Sequence, residues 1–265
     1  MKLKGIKFGL VMGVAVLSLA CSGIRVRGSG TTMSENREVG AFDSIELESF
    51  GDVFIEQGDE PGVVVEADVE LIEYVNTDVR NGTLYLRVGD RGQNVSVTNA
   101  DLRFFVTVSD LEKLSIPGSG DMFVEDVRVD DLTVEINGSG DVTMQDVKNG
   151  SSLFMEIDGS GEISIRKAEF DEIESRIRGS GDISIGGKAD EQSIQVGGSG
   201  DYIGGDLESQ SVEIAIQGSG NVDVWAEEAL KIDISGSGNV RYFGEPRDLA
   251  QQIDGSGDVR ALGEK

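Results

Sequence analysis

Eight short polar side chains recur through the second half of the chain: Asp121, Asp141, Glu162, Asp182, Asp201, Asn221, Asn239 and Asp258, each directly after a Gly-Ser-Gly triplet and 18 to 21 residues from the next. If successive repeats stack, these side chains form a column. A column of carboxylates could bind Ca²⁺, which takes about six to eight oxygen ligands. Asp121, Asp141, Asp182 and Asp201 are therefore the candidate ligand set, for a weak calcium column or for another ligand. Two features weigh against metal: calcium-binding β-rolls repeat at about nine residues, and Asn221 and Asn239 carry no charge. The competing expectation is local, with each Asx side chain accepting backbone N–H groups in its own turn.

What positions the column is a second regularity. Two residues before the first glycine stand Ile116, Ile136, Ile157, Ile177, Val196, Ile216, Ile234 and Ile253, all β-branched. Directly after the polar residue stand Met122, Val142, Ile163, Ile183, Tyr202, Val222, Val240 and Val259, all apolar. The residue between Ile and Gly is Pro, Asn, Asp, Arg, Gly, Gln, Ser or Asp, which has no common chemistry and points to solvent. The unit is a strand, a Gly-Ser-Gly corner and a second strand in about twenty residues. One unit cannot bury its own apolar face, but stacked units can. The fold class that follows is all-β, a right-handed parallel β-helix of solenoid-like coils. An antiparallel sandwich with glycine hairpins gives the same spacing. At a stacked corner, glycine answers close approach of neighbouring coils and a backbone that needs positive φ.

Upstream, alternation at Ile45/Leu47, Val53/Ile55, Val63/Val65, Leu84/Leu86/Val88 and Phe104/Val106/Val108 predicts half-buried strands. Asn81-Gly82 predicts a tight hairpin. Val69 to Val75 reads as one short helix with Val69, Ile72 and either Val75 or Leu71 inward. The stretch SFGDVFIE, residues 49–56, resembles the later motif with Phe50 in place of serine. These signals divide the chain into a signal peptide (1–20), a flexible Gly/Ser-containing tether (21–40), an N-terminal β-rich part (41–115) and the repeat solenoid (116–262).

Residues 1–21 carry Lys2, Lys4 and Lys7, then an apolar run from Phe8 to Ala20 that ends at Cys21. The run is shorter than the ~20 residues a permanent span needs, so it reads as a secretory signal peptide. Ala20-Cys21, with Leu17, Ser18 and Leu19 before it, is lipobox-like, so Cys21 is the expected lipidation site; a plain secretion signal is the alternative. Ser22 rather than aspartate after the cysteine favours the outer membrane of a Gram-negative envelope. Cleavage would remove three lysines and no acid, taking the formal charge from −26 to −29. Such a surface repels nucleic acid and anionic lipid headgroups. The chain has no histidine, which excludes a Ser-His-Asp triad and an imidazole base. The basic residues Arg128, Lys148, Arg166, Arg178, Lys188, Lys231 and Arg241 fall at scattered repeat positions, so no catalytic set converges and no cofactor is expected. Among the aromatics, Tyr202 and Tyr242 take the inward register and Phe154 the outward one, while Trp225 faces out or lies at a coil edge.

The lipobox-like start, FDSIELESFGDVFIEQG (42–58), VEADVELIEYVNTDVRNGTLYLRV (65–88) and the recurring I-x-GSG-D/N-V together resemble the putative auto-transporter adhesin, head GIN domain family. The resemblance implies an all-β, β-helix-like fold on secreted or lipid-anchored bacterial proteins and brings no catalytic residues. The function expected is an acidic rigid rod in the bacterial envelope. It would be held to the membrane through lipid on Cys21 and would contact an unknown protein or glycan. A periplasmic structural or assembly protein and a polysaccharide-active enzyme on a β-helix are the alternatives.

Overall fold

The computed structural model describes residues 23–265. The expected signal peptide, residues 1–20, and the expected lipidation site Cys21 lie outside the described residues. The chain forms a β-solenoid of about 8 turns. Two strands come first, β1 (Ile24–Arg27) and β2 (Thr32–Arg37). Next, β3 (Ser44–Leu47) and β4 (Asp52–Gln57) make a coil around the degenerate motif. An excursion then runs through β5 (Gly62–Asp68), a 3-10 turn (Ile72–Tyr74), β6 (Val75–Arg80), β7 (Thr83–Val88), β8 (Val95–Thr98) and β9 (Leu102–Val108). The next coil holds β10 (Lys113–Ile116), β11 (Asp121–Val124), β12 (Val127–Arg128) and β13 (Asp131–Ile136). From there each coil is one long bent strand: β14 (Val142–Ile157), β15 (Ile163–Ile177), β16 (Ile183–Val196), β17 (Tyr202–Ile216) and β18 (Val222–Ile234). The stack closes with β19 (Val240–Phe243), β20 (Asp248–Ile253) and β21 (Val259–Gly263).

Coil pairing is parallel throughout the repeat, so the sandwich alternative fails. Ile116, Ile136, Ile157, Ile177, Val196, Ile216, Ile234 and Ile253 stand in one unbroken register. All are buried except Ile253 in the last coil, which is 40% exposed. Met122 through Val240 form the second internal ladder, also buried. Inside the stack Tyr202 Oη donates to Gln192 Oε1 (2.8 Å), and Gln192 Nε2 donates to Ser209 Oγ (2.5 Å), so these buried polar groups satisfy one another.

The solenoid starts earlier than residue 116. β3 pairs in parallel with β10 and with β7, and β4 with β11 and with β9, so the degenerate motif is a true coil laid on β7 and β9. Residues 24–37 are not a tether. β1 pairs with β8 and β2 runs antiparallel to β5, because the extended backbone finds open sheet edges even where its side chains are polar. The predicted short helix is a single 3-10 turn; Leu71, Ile72 and Val75 are buried, while Val69 faces out. Asn81 and Gly82 both take positive φ (51° and 82°) between antiparallel β6 and β7, as the hairpin reading required.

The corner glycines answer only one of the two demands foreseen for them. A Cβ on Gly138, Gly159 or Gly179 would lie 1.8–1.9 Å from the carbonyl oxygen of the corner glycine one coil below. None of them takes positive φ. Close approach alone selects glycine here.

Candidate functional site

The strands that follow each corner share one outward face, and three parallel rows of side chains cross it. The first row is the Asx column. Asp121 Oδ1 accepts the Asp141 N–H (2.9 Å), Asp141 Oδ1 the Glu162 N–H (2.8 Å), Asp182 Oδ1 the Asp201 N–H (2.7 Å) and Asp201 Oδ1 the Asn221 N–H (2.7 Å). Asn221 and Asn239 continue the pattern to Asn239 and Asp258. Asp121, Asp141, Asp182 and Asp201 thus stand in one column, and each of the four side chains binds the next coil rather than its own turn. The reason is geometric: parallel stacking places the next coil's amide one strand spacing, about 4.8 Å, above the same position. Among the described residues, no group of three or more His, Cys, Asp or Glu is arranged to hold a metal ion.

The column reaches one coil lower than the repeat does. Asp121 pairs with Asp52, and Asp52 lies beside Arg103 of β9, which in turn bonds Glu66 (3.1 Å). Burial first, and the charge of Asp121 second, raise the Asp52 pKa above its ordinary value; Arg103 opposes them.

The middle row was not foreseen. Val64, Phe105, Phe54, Phe123 and Thr143 stand directly opposite one another on β5, β9, β4, β11 and β14. The row continues through Ser164, Ser184 and Ile203. Phe54 stacks on Phe105 at 5.4 Å between centroids (18° between planes) and on Phe123 at 5.2 Å (16°). The three rings are 36–42% exposed, large apolar surface that the core does not need. They line a groove of about 790 Å³ whose rim includes Asn36, Arg37, Glu56, Thr107, Glu125, Thr143 and Gln145. The signal was present in the sequence. In Val53-Phe54-Ile55, Phe104-Phe105-Val106 and Met122-Phe123-Val124 an outward position of an alternating strand is filled by phenylalanine, where later coils place Thr143, Ser164 and Ser184.

The third row begins with Thr107, Glu56 and Glu125. Glu125 follows Val124, whose partner is Ile55, so Glu56 and Glu125 are neighbours. Thr107 Oγ1 donates to Glu56 Oε1 (3.2 Å), and neither glutamate has a salt bridge among the described residues. Arg37, the one cation on the rim, is engaged by Glu35 (2.9 Å) and by the Ile72 carbonyl (3.1 Å).

The other aromatics are occupied. Tyr202 and Tyr242 are buried, as predicted. The Arg176 guanidinium lies 5.0 Å from the Phe154 ring centroid. The Trp225 Nε1 donates to Glu227 (2.5 Å), and Lys265 Nζ sits 5.6 Å from the Trp225 centroid and 5.1 Å from that of Phe243.

The family described as "Putative auto-transporter adhesin, head GIN domain" matches residues 41–246, which span both the excursion and the coil stack. The chain belongs to that family. Three solved structures share the head GIN fold seen here. One is named a putative lipid binding protein from Parabacteroides distasonis (27% identity, 90% of this chain and 99% of that one, TM-score 0.82). Another is a putative adhesin from the same species (25%, 90% and 100%, TM-score 0.81). The third, a putative adhesin from Parabacteroides merdae (23%, 91% and 100%, TM-score 0.82), shows the fold alone. No curated protein matches the chain. The family and these relatives are named as adhesins or binding proteins, not as enzymes. Among the described residues of this head GIN protein, no helix is long and apolar enough to cross a membrane.

Proposed function

We propose that this head GIN protein is a non-enzymatic binding protein of the bacterial envelope, anchored in the outer membrane through lipid on Cys21, with the solenoid as a rigid arm. The observation that carries the binding role is the solvent-facing Phe54–Phe105–Phe123 stack in a row that continues as Thr143, Ser164 and Ser184. Exposed aromatics on a frame fixed by parallel coils supply contact area with little ordering cost on binding. The acidic charge of −26 argues against nucleic acid as a partner and leaves protein, glycan or another neutral surface.

The test is protease shaving and antibody labelling of intact cells beside a lysed control, together with metabolic labelling by palmitate in wild type and Cys21→Ser. Label on intact cells and palmitate incorporation lost in the variant are the expected results. Protection until lysis would move the role to the periplasmic face, as a structural or assembly protein. Palmitate retained without Cys21 would remove the anchor. A lipid ligand is the second reading, favoured by the apolar floor of the groove and by the name of the P. distasonis relative. Glu56 and Glu125 on the rim would then select a neutral lipid over an anionic one.

A further inference from the structure

Two neighbouring strands of the groove carry the same five-residue cassette. Asp52-Val53-Phe54-Ile55-Glu56 on β4 and Asp121-Met122-Phe123-Val124-Glu125 on β11 and its edge both read acid, apolar, phenylalanine, apolar, glutamate. The inner apolar pairs are buried in the core, so Asp, Phe and Glu point outward together. The cassettes are in register, which lays down an aromatic stripe with a pair of carboxylates on each side, about 13 Å from one pair to the other along the strand. The next coils do not repeat it: Asp141 to Gln145 reads D-V-T-M-Q, and Glu162 to Arg166 reads E-I-S-I-R. A frame that repeats its inward residues in every coil departs from the repeat here on its outward residues only.

We propose that the paired cassettes bind an extended polypeptide segment in which an apolar side chain is flanked, two residues away on either side, by lysine or arginine. This deepens the binding role above and rests on it. Charge complementarity carries the choice: Glu56 and Glu125 have no cationic partner among the described residues, Arg37 on the rim is engaged by Glu35 and the Ile72 carbonyl, and Arg103, which stands beside Asp52 on the other side of the stripe, is bonded to Glu66 (3.1 Å). A strand of the form Lys-x-Leu-x-Lys places its ammonium groups about 13 Å apart on one face, matching the separation of the carboxylate pairs. The stacking geometry discriminates as well. Phe54 has both ring faces covered by its neighbours, so the stripe offers mainly ring edges, which suit aliphatic side chains, and few free faces on which a sugar ring could lie. Fatty acids and anionic headgroups meet four carboxylates.

The test is calorimetric titration of the mature protein with the acetylated, amidated nonapeptide Lys-Thr-Leu-Thr-Lys-Thr-Leu-Thr-Lys, with its Glu-for-Lys counterpart, with cellohexaose and with phosphatidylcholine vesicles. Binding of the lysine peptide alone is expected, weakening at least tenfold between 50 and 300 mM salt, about the loss that releasing a few counterions gives. Glu56→Gln/Glu125→Gln, which keeps shape, and Phe54→Ala/Phe123→Ala, which alters only outward side chains, should each weaken it about tenfold or more. Equal binding of the lysine and glutamate peptides, or lysine-peptide binding unchanged in both variants, overturns the proposal. So does a groove that takes only cellohexaose or only vesicles, although that result would leave the binding role standing. The localisation experiment on cells is independent of all these outcomes.

Discussion

The Gly-Ser-Gly corner and the rest of the coil are built under different demands. At the Gly-Ser-Gly corner the demand comes from the neighbouring coil: a Cβ on Gly159 would sit 1.8 Å from the Gly138 oxygen. Away from the corner a torsional demand is added in three of the coils, where Asn149 (φ 64°), Gly187 (φ 123°) and Gly244 (φ 92°) stand beside slips in the pairing register; Gly187 and Gly244 meet the close approach as well, a Cβ lying 2.0 Å from the Ala168 oxygen and 2.1 Å from the Ala226 oxygen. A demand imposed by stacking recurs identically in every coil. One imposed by a local torsion does not. The first Gly-Ser-Gly, residues 28–30, meets both demands outside the repeat: a Cβ on Gly28 would lie 2.1 Å from the Asn99 oxygen, Gly30 takes positive φ (81°), and the Ser29 and Gly30 amides donate to Asp68 Oδ1 (2.8 and 3.0 Å).

The sharpest way to break this comparison is a pair of alanines at adjacent corner positions. Gly159→Ala would force a backbone carbonyl aside, and nothing flexible can yield, so it should lower unfolding stability by about 3 kcal/mol or more. Gly197→Ala places its Cβ 3.8 Å from the Ile177 oxygen at a solvent-facing position and should change stability by no more than about 0.5 kcal/mol. Urea midpoints measured side by side decide it; equal tolerance would mean the corners are not close-packed.

Next in size is the nest around Asp68. Burial raises the Asp68 carboxyl, but the amides of Asp101, Ser29 and Gly30 outweigh it, so its pKa lies below the ordinary aspartate value. A depressed carboxyl contributes stability above its unfolded pKa, about 3.9, and that contribution fades as pH falls through the folded value. Wild type should therefore lose stability on acidification below about pH 4. Asp68→Asn should start lower at pH 7 and show a flatter acid limb in thermal scans. Parallel acid limbs would show that the nest is not what orders residues 28–30.

A smaller effect separates hydrogen bonding from charge in the column. Asp141→Asn keeps an oxygen for the Glu162 amide while Asp141→Ala does not, so alanine should fall below asparagine by about 1 kcal/mol. Equal midpoints would mean that water serves this exposed amide as well as the side chain does.

The same contrast explains what was readable in the sequence. The isoleucine ladder, the corners and the parallel stack were legible because each coil imposes one packing problem on the next. The pairing of residues 24–37 was not, because a polar edge strand such as Thr32–Arg37 has no apolar period to betray it and is held by backbone hydrogen bonds to β5. The column was legible as a column, but its bonding partner was not, since residue spacing does not say whether an Asx side chain reaches its own turn or the coil above. The aromatic stripe could have been found by asking which outward positions break the alternation. The eye instead follows inward ones, and Phe105 stacks beside Phe54 only after the chain has left the solenoid and returned through β5 to β9.

The smallest effect bears most directly on function. Asp52 is a carboxyl whose folded pKa is raised, so its contribution to stability is fully present below the unfolded value and is lost as pH rises through the folded one. At neutral pH its charge therefore works against the fold. Asp52→Asn should be slightly more stable than wild type at pH 7, with the difference vanishing below about pH 4, where wild type is protonated in both states. Higher in the same column the chain itself uses amides: Asn239 Nδ2 donates to Asn221 Oδ1 (2.9 Å). An amide is thus compatible with the stack, and the fold has no need of the acid beside Phe54. If Asp52→Asn gains stability while losing affinity for the lysine peptide, the charge at this position serves the ligand at the expense of the frame. If stability is the same from pH 4 to pH 8, Arg103 compensates the Asp52 charge in full, and the case for a cationic partner rests on Glu56 and Glu125 alone.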